Sequence, residues 1–339
     1  ASDLQEFSVV RANAVLQRTK PVNGEQVYNA WERRANTFVQ EVEKQAPPVR
    51  KCKNWHANGT AVSKEDVLKA RALCSEVAQH PAEQSDSIWS MVGAYGGHYF
   101  SPSQALWLDA FRATVPSRRS TRDLALAALV EAASRCAASP GHTAQPFSVC
   151  GKGKYYLAEC WSREVNLRIA SALSALSSNY CAVEGRAYKG DYGVALERLR
   201  EGDVAFVDPP YSAVQYSRFY HVLETIVHQA RFEPQGVGRY PPRTERPQSL
   251  FSLKSTAHDQ AKKLVNECAD RGVNLVVTYP EEVTSTGLSA DDWETLVRSR
   301  YPSVTRSSLN QQLSTLGGNG QTRTARTSSG EALIAAALK

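Results

Sequence analysis

At 339 residues the chain is long enough to bury a full core, as one large domain or two smaller ones. With 42% apolar and 22% charged residues and no apolar run long enough to span a bilayer, composition excludes a disordered, fibrous or membrane-spanning protein. The net charge of +6 is compatible with a nucleic-acid partner without demanding one, and the first residues lack the basic start of a secretory signal, so a cytoplasmic location is expected.

In chain order, an apolar-rich helical run follows Asp3 over residues 9–16. Val27, Trp31, Ala35, Phe38, Val39 and Val42 recur at helical spacing and predict a second helix that Pro47-Pro48 closes. The seven cysteines are odd in number and form no C-x-x-C pair; Cys52 and His56 have no second pair to complete a zinc site, so no metal is expected. Ser63, three residues before Asp66, reads as the N-cap of another helix. In Ser101-Pro102-Ser103-Gln104 the serine caps, the proline takes the first helical position and the glutamine reaches back to the Ser101 amide. Helices over 121–137 and 163–176 complete a stretch, 23–180, that reads as largely helical.

From about residue 181 short apolar runs alternate with helices, the pattern of an α/β sheet. Residues 203–207 and 273–280 read as buried strands of a parallel sheet. Helices are expected around 217–228 and 258–270, and residues 331–338 read as a last strand although their alanines also suit a helix. A Gly/Thr/Ser-rich turn occupies 317–330. The expected fold class is therefore α/β, with a sheet domain built from 1–22 and 181–339 and a mainly helical insertion over 23–180.

Chemistry concentrates after the first of those strands, at Asp208-Pro209-Pro210-Tyr211. Open α/β sheets place ligands at the carboxyl ends of their strands, which is where Asp208 falls. The exocyclic amine of adenine is a poor nucleophile because its lone pair is delocalised into the ring. A carboxylate and a backbone carbonyl that accept its two hydrogens favour a more pyramidal nitrogen, ready to attack a sulfonium methyl in line. Pro209 and Pro210 have no N–H and a fixed φ, so they offer carbonyls on a stiff loop. Tyr211 offers a flat face on which an extruded base can stack. The bland alternative is a strand-ending turn, for which Asp-Pro-Pro is equally suited.

The run Asp208-Pro209-Pro210-Tyr211-Ser212, continued by Gln215-Tyr216-Ser217-Arg218-Phe219-Tyr220-His221-Val222-Leu223-Glu224-Thr225, resembles the Dam-like class of adenine-specific DNA methyltransferases. Ala1-Ser2-Asp3-Leu4 with Phe7-Ser8, Gly190-Asp191, Tyr99-Phe100-Ser101 and Gly141-His142 are similar to further landmarks of that family. The resemblance implies a Rossmann-like sheet domain with an inserted domain for target recognition, S-adenosylmethionine as cofactor and DNA as partner. It implies that Asp3 binds the cofactor ribose and Asp191 the cofactor adenine, and that Asp208, Pro209, Pro210 and Tyr211 are catalytic. Tyr216, Arg218, Arg243 and Arg246 are the candidate substrate contacts. A restriction or phage-defence partner is left open. The family's glycine loop after the first strand is expected upstream of Ala1, because Gly93, Gly96 and Gly97 lie in the helical region with no strand before them. The chain is accordingly expected to be N-terminally truncated and to bind cofactor weakly as it stands.

The alternatives are a methyltransferase for an RNA or protein amine or amide, and a truncated, non-catalytic DNA-binding module. Arg218, His221 and Glu224 share one helical face that suits either a structural ion pair or a substrate wall. The loop 231–254, with Arg231, Arg239, Arg243, Arg246 and Lys254 against Glu233 and Glu245, is a candidate phosphate contact. Arg118, Arg119 and Arg122 form a similar, smaller cluster.

Overall fold

The computed structural model describes residues 1–57, 59–79, 88–314 and 326–338, so most of the turn expected over 317–330 lies outside the described residues. In chain order the elements are β1 (Ser2–Asp3), α1 (Glu6–Leu16), α2 (Gly24–Gln45), α3 (Pro47–Lys53), α4 (Lys64–Gln79), α5 (Ser90–Tyr95), α6 (Pro102–Ala113), α7 (Arg119–Cys136), α8 (Gly153–Trp161) and α9 (Val165–Ser177). They continue as β2 (Tyr188–Lys189), α10 (Tyr192–Leu196), β3 (Val204–Val207), α11 (Ser217–His228), α12 (Ala257–Asp270), β4 (Asn274–Pro280), α13 (Ala290–Arg298), β5 (Ser303–Ser314) and β6 (Arg326–Ala337). Among the described residues no helix is long and apolar enough to cross a membrane.

The chain forms two compact units, one of Ala1, Gln5–Ala187 and Arg218–Arg246, the other of Ser2–Leu4, Tyr188–Ser217 and Pro247–Lys339. These limits differ from the divisions at 22 and 180 expected from sequence. The reason lies in where two helices bury their apolar faces. Phe7, Val10 and Ala14 of α1 and Val222, Leu223, Ile226 and Val227 of α11 belong to the core of the helical unit, with Trp31, Phe100, Leu106 and Leu129.

Local chemistry places the helices of this unit. Ser101 and Gln104 form the expected capping box at α6, with Pro102 at its first turn, and a cap of this kind contributes about 1 kcal/mol. Ser63 Oγ accepts from the Asp66 amide while the Asp66 carboxylate accepts from the Ser63 amide at the start of α4. The two prolines end α2 and also open α3, since proline fits a first helical turn. Trp31, fully buried, donates its indole N–H to the Phe111 carbonyl at 2.9 Å.

The second unit carries the strands. β1 and β2 pair in parallel, Ser2 with Tyr188 and Asp3 with Lys189. A separate four-stranded sheet has the order β3-β4-β6-β5, with β3 parallel to β4 and β6 antiparallel to both β4 and β5. The sheet is thus mixed rather than parallel, and 331–338 belong to a strand that starts earlier, at Arg326. Its core combines Leu275, Val277 and Tyr279 of β4 with Ala261, Leu264 and Val265 of α12 and Trp293 and Val297 of α13. The expectation that β3 is buried needs correction: Val204 is 58% and Phe206 66% exposed. Residues alternate faces along a strand, so Ala205 and Val207 pack on the core while Val204 and Phe206 project the other way, on a strand at the end of the sheet.

Candidate functional site

Strand pairing delivers Asp208 to a defined place. Val207, the last residue of β3, stands opposite Val277 of β4, so the next residues along each strand, Asp208 and Thr278, come side by side at the carboxyl ends. Thr278 Oγ1 donates to Asp208 Oδ1 at 3.2 Å. The carboxylate keeps access to solvent, yet the atoms crowding it remove enough water to raise its pKa above the ordinary 3.8, an effect the Thr278 bond opposes. The result is a carboxylate with one oxygen oriented by the protein and spare acceptor capacity.

The loop after it is stiff at both ends. Pro209 is buried and Pro210 half-buried, and neither contributes an N–H. The Ala213 amide donates to Ser285 Oγ at 2.9 Å and the Val214 amide to Ser212 Oγ at 3.2 Å. Gln215 is bonded at both ends of its amide to one residue: its Nε2 donates to the Ser249 carbonyl and its Oε1 accepts from the Ser249 amide, at 2.9 and 2.7 Å. Between these anchors Tyr211 stays 37% exposed, presenting ring surface to solvent, and Tyr216 is half-buried.

The other two candidate acids lie at the ends of the two-stranded parallel sheet. Asp3 ends β1 with its side chain exposed, and its carbonyl accepts from the Gly190 amide at 3.0 Å. Asp191 follows β2, caps α10 and accepts from the Gly193 amide at 3.1 Å through Oδ1. Asp191 is thus an N-cap, and its carboxylate retains capacity for a further donor. Two exposed carboxylates at adjacent parallel strand ends suit a ligand with hydroxyl or amine donors, the chemistry that a nucleoside cofactor offers.

In the helical unit two of the three candidate arginines gather on one ring. Arg218 lies 5.5 Å and Arg246 5.2 Å from the centre of the Tyr240 ring, and Arg218 Nε donates to the Tyr240 hydroxyl at 3.1 Å. Tyr240 in turn donates to the Ala144 carbonyl. Arg246 Nε is buried without a hydrogen-bond partner among the described residues. Arg243 stands exposed in a 3-10 turn, Arg243–Glu245. The shared face of Arg218, His221 and Glu224 carries three separate tasks rather than one ion pair. His221 is buried, bonded through Nε2 to the Gly238 carbonyl at 2.9 Å, and burial pushes its pKa down to about 4. Glu224 accepts from the amides of Glu6 and Phe7 at 2.9 and 3.0 Å and so holds the start of α1.

The structure therefore brings Asp208 to Tyr211 onto one braced loop, Asp3 and Asp191 onto one pair of strand ends, and Arg218 with Arg246 onto Tyr240. The basic loop 231–254 is split: 231–246 belong to the helical unit and Lys254 to the other. Sequence reasoning missed Thr278 and Tyr240. Thr278 stood inside a named strand, but its role depends on the register between strands seventy residues apart in sequence. Tyr240 lay among the arginines with no spacing that distinguished it.

Residues 115–270 match the family described as D12 class N6 adenine-specific DNA methyltransferase. The chain is 36% identical over 88 residues to "Modification methylase LlaI" from Lactococcus lactis subsp. lactis, an alignment covering 26% of this chain and 13% of that protein. It is 27% identical over 186 residues to "Type II methyltransferase M.NlaIII" from Neisseria lactamica, covering 51% of this chain and 50% of the relative. The matches thus span half the length of these curated relatives or less. No solved structure matches the chain significantly.

Proposed function

We propose, from the match of residues 115–270 to the D12 class N6 adenine-specific DNA methyltransferase family, that the chain is a member of that family and transfers a methyl group to the N6 amine of adenine in DNA. The observation that carries this reading is the Asp208 carboxylate, oriented by Thr278 at a strand end and followed by two donor-less residues and an exposed aromatic ring. In this reading Asp208 accepts one hydrogen of the amine and the Pro209 carbonyl the other, which localises the nitrogen lone pair. Acceptors placed in advance stabilise the charge that develops on the amine without reorganising water. Tyr211 stacks the base once it leaves the duplex, a contact worth roughly 1–3 kcal/mol.

Asp3 and Asp191 would hold S-adenosylmethionine, which supplies an electrophilic methyl group on a sulfonium. The order of the four-stranded sheet, with its antiparallel β6 between β4 and β5, supports a Rossmann-like domain. The helical unit serves target recognition, and Tyr216 with Arg218, Arg243 and Arg246 contacts DNA. The relatives' names favour a restriction-modification setting.

Incubating the protein with methyl-tritiated S-adenosylmethionine and DNA tests the reading, with label expected on adenine N6. Tyr211→Ala is expected to lose the fluorescence rise of 2-aminopurine at the target position, while Tyr211→Phe retains it, because stacking needs the ring and not the hydroxyl. Equal signals from the two variants would remove the stacking role. Arg243→Gln combined with Arg246→Gln is expected to weaken binding to all DNA sequences alike and to flatten its salt dependence. A loss confined to one sequence would instead make these residues readers of bases.

A further inference from the structure

The helical unit contains a cleft of about 590 Å³ between α4, α5, the segment after α5 and the loop after α11, on which neither the braced loop nor the acids above depend. Its lining includes Arg71, His98, Arg231 and Arg239, with Glu233 the one acidic side chain. Arg71 Nε donates to the Gly97 carbonyl at 3.1 Å, an approach that glycine permits because a Cβ there would meet the Arg71 Cγ at 2.7 Å. Arg239 donates to the carbonyls of Ala94 and Gly93, and Arg231 to that of Ala78. Among the described residues no carboxylate forms an ion pair with Arg71 or Arg239, and each guanidinium has five N–H donors, so both retain capacity for a ligand.

Positive charge predominates in this cleft, with Glu233 offsetting part of it at Arg239. Burial and then Arg71 lower the pKa of Arg239, while burial and both arginines push His98 down to about 3, so His98 is neutral at physiological pH. The turn from Gln235 to Tyr240, closed by paired backbone bonds of 2.8 and 2.9 Å, holds Arg239 at φ 55°, a left-handed conformation uncommon outside glycine. Such a conformation persists where its surroundings hold it, and here it delivers a guanidinium to the cleft. Trp89 lines the same cleft with its indole N–H buried and without an acceptor among the described residues. Phe232 and Pro234 add apolar wall.

We infer that this cleft receives a phosphodiester of the DNA backbone, with Arg71 and Arg239 bonding the phosphate oxygens and Trp89, Phe232 and Pro234 flanking the adjoining sugars. The inference rests on the proposed action on DNA and adds a fixed phosphate contact that sets register without reading sequence.

The test is anisotropy of labelled duplexes of two unrelated sequences across a salt series, with the wild type, Arg71→Gln, Arg71→Lys and Arg239→Gln. Each glutamine variant is expected to lower affinity about three- to tenfold on both sequences and to reduce the slope of log K against log salt by about one. Arg71→Lys should keep the slope. Because Arg239 also anchors the carbonyls of Gly93 and Ala94, single methylphosphonates in the DNA probe the contact from the other side. One neutralised position should weaken the wild type and leave Arg71→Gln unaffected. Wild-type affinity and slope in the glutamine variants would overturn the inference while leaving the proposed activity standing, and a wild type that binds no DNA would overturn both. Inorganic phosphate that shifts tryptophan emission in the wild type but not in Arg71→Gln, with DNA affinity unchanged by the substitution, would assign the cleft to a free phosphate and overturn the DNA contact.

Discussion

Asp208→Ala is expected to lower methyl transfer by roughly a hundredfold or more while leaving the far-ultraviolet circular dichroism unchanged. The side chain reaches solvent and, among the described residues, accepts from the half-buried Thr278 hydroxyl at 3.2 Å, so its removal strands no fully buried donor. What is lost is an acceptor aimed at a reacting amine, whose interaction strengthens as positive charge develops on nitrogen. Asp208→Asn separates shape from chemistry, because an amide keeps the size of the carboxylate and forfeits its charge. The raised pKa adds a second signature. Protonation removes the acceptor, so the acid limb of kcat/KM should titrate above 3.8, and Thr278→Val, which deletes a bond that stabilises the ionised form, should move that limb further up. Native spectra with undiminished turnover in Asp208→Ala would take this residue out of the mechanism.

The largest effect on stability is expected at Asp109, on the buried side of α6. This carboxylate is fully buried and accepts from the amides of Met91 and Val92 at 3.0 and 2.9 Å and from Ser90 Oγ at 3.3 Å, so it anchors the first turn of α5. Alanine would leave two buried amides without an acceptor, at roughly 1–3 kcal/mol each, or about 2–6 kcal/mol in all. That corresponds to a fall in melting temperature of roughly 4–20 °C. Asp109→Asn, which keeps one acceptor oxygen, should lose less. Burial pushes the Asp109 pKa up to about 8, the three donors opposing without overcoming it. A folded-state pKa above the unfolded value means that the stabilising contribution is complete below about 3.8 and is lost as pH rises through about 8. Thermal melts of the wild type should therefore weaken across that window relative to Asp109→Asn. Parallel pH profiles, or an alanine variant as stable as the wild type, would exclude this role.

Helices and strand ends were legible because their signals are local. The capping boxes, the helix over 217–228 and the strand that ends just before Asp208 all follow from neighbours a few residues apart. Partnership was not legible. The periodicity of α1 and α11 reveals which face is apolar but not which core receives it, and both helices joined the helical unit. The exposure of Phe206 depends on which strands flank β3, and alternation within four residues carries no such information. The same holds in the candidate site. Asp208 and Tyr211 were readable from one tetrapeptide, whereas Thr278, Ser249 and Tyr240 reach their partners through strand register or through turns that no short window records.

The most direct measurement is mass-spectrometric analysis of nucleosides from the DNA of cells expressing the complete coding sequence, beside cells expressing its Asp208→Ala variant. N6-methyladenine in the first and its loss in the second is the predicted result. Methylation on cytosine, or N6-methyladenine undiminished in the variant, would contradict the assignment of Asp208 to the adenine amine.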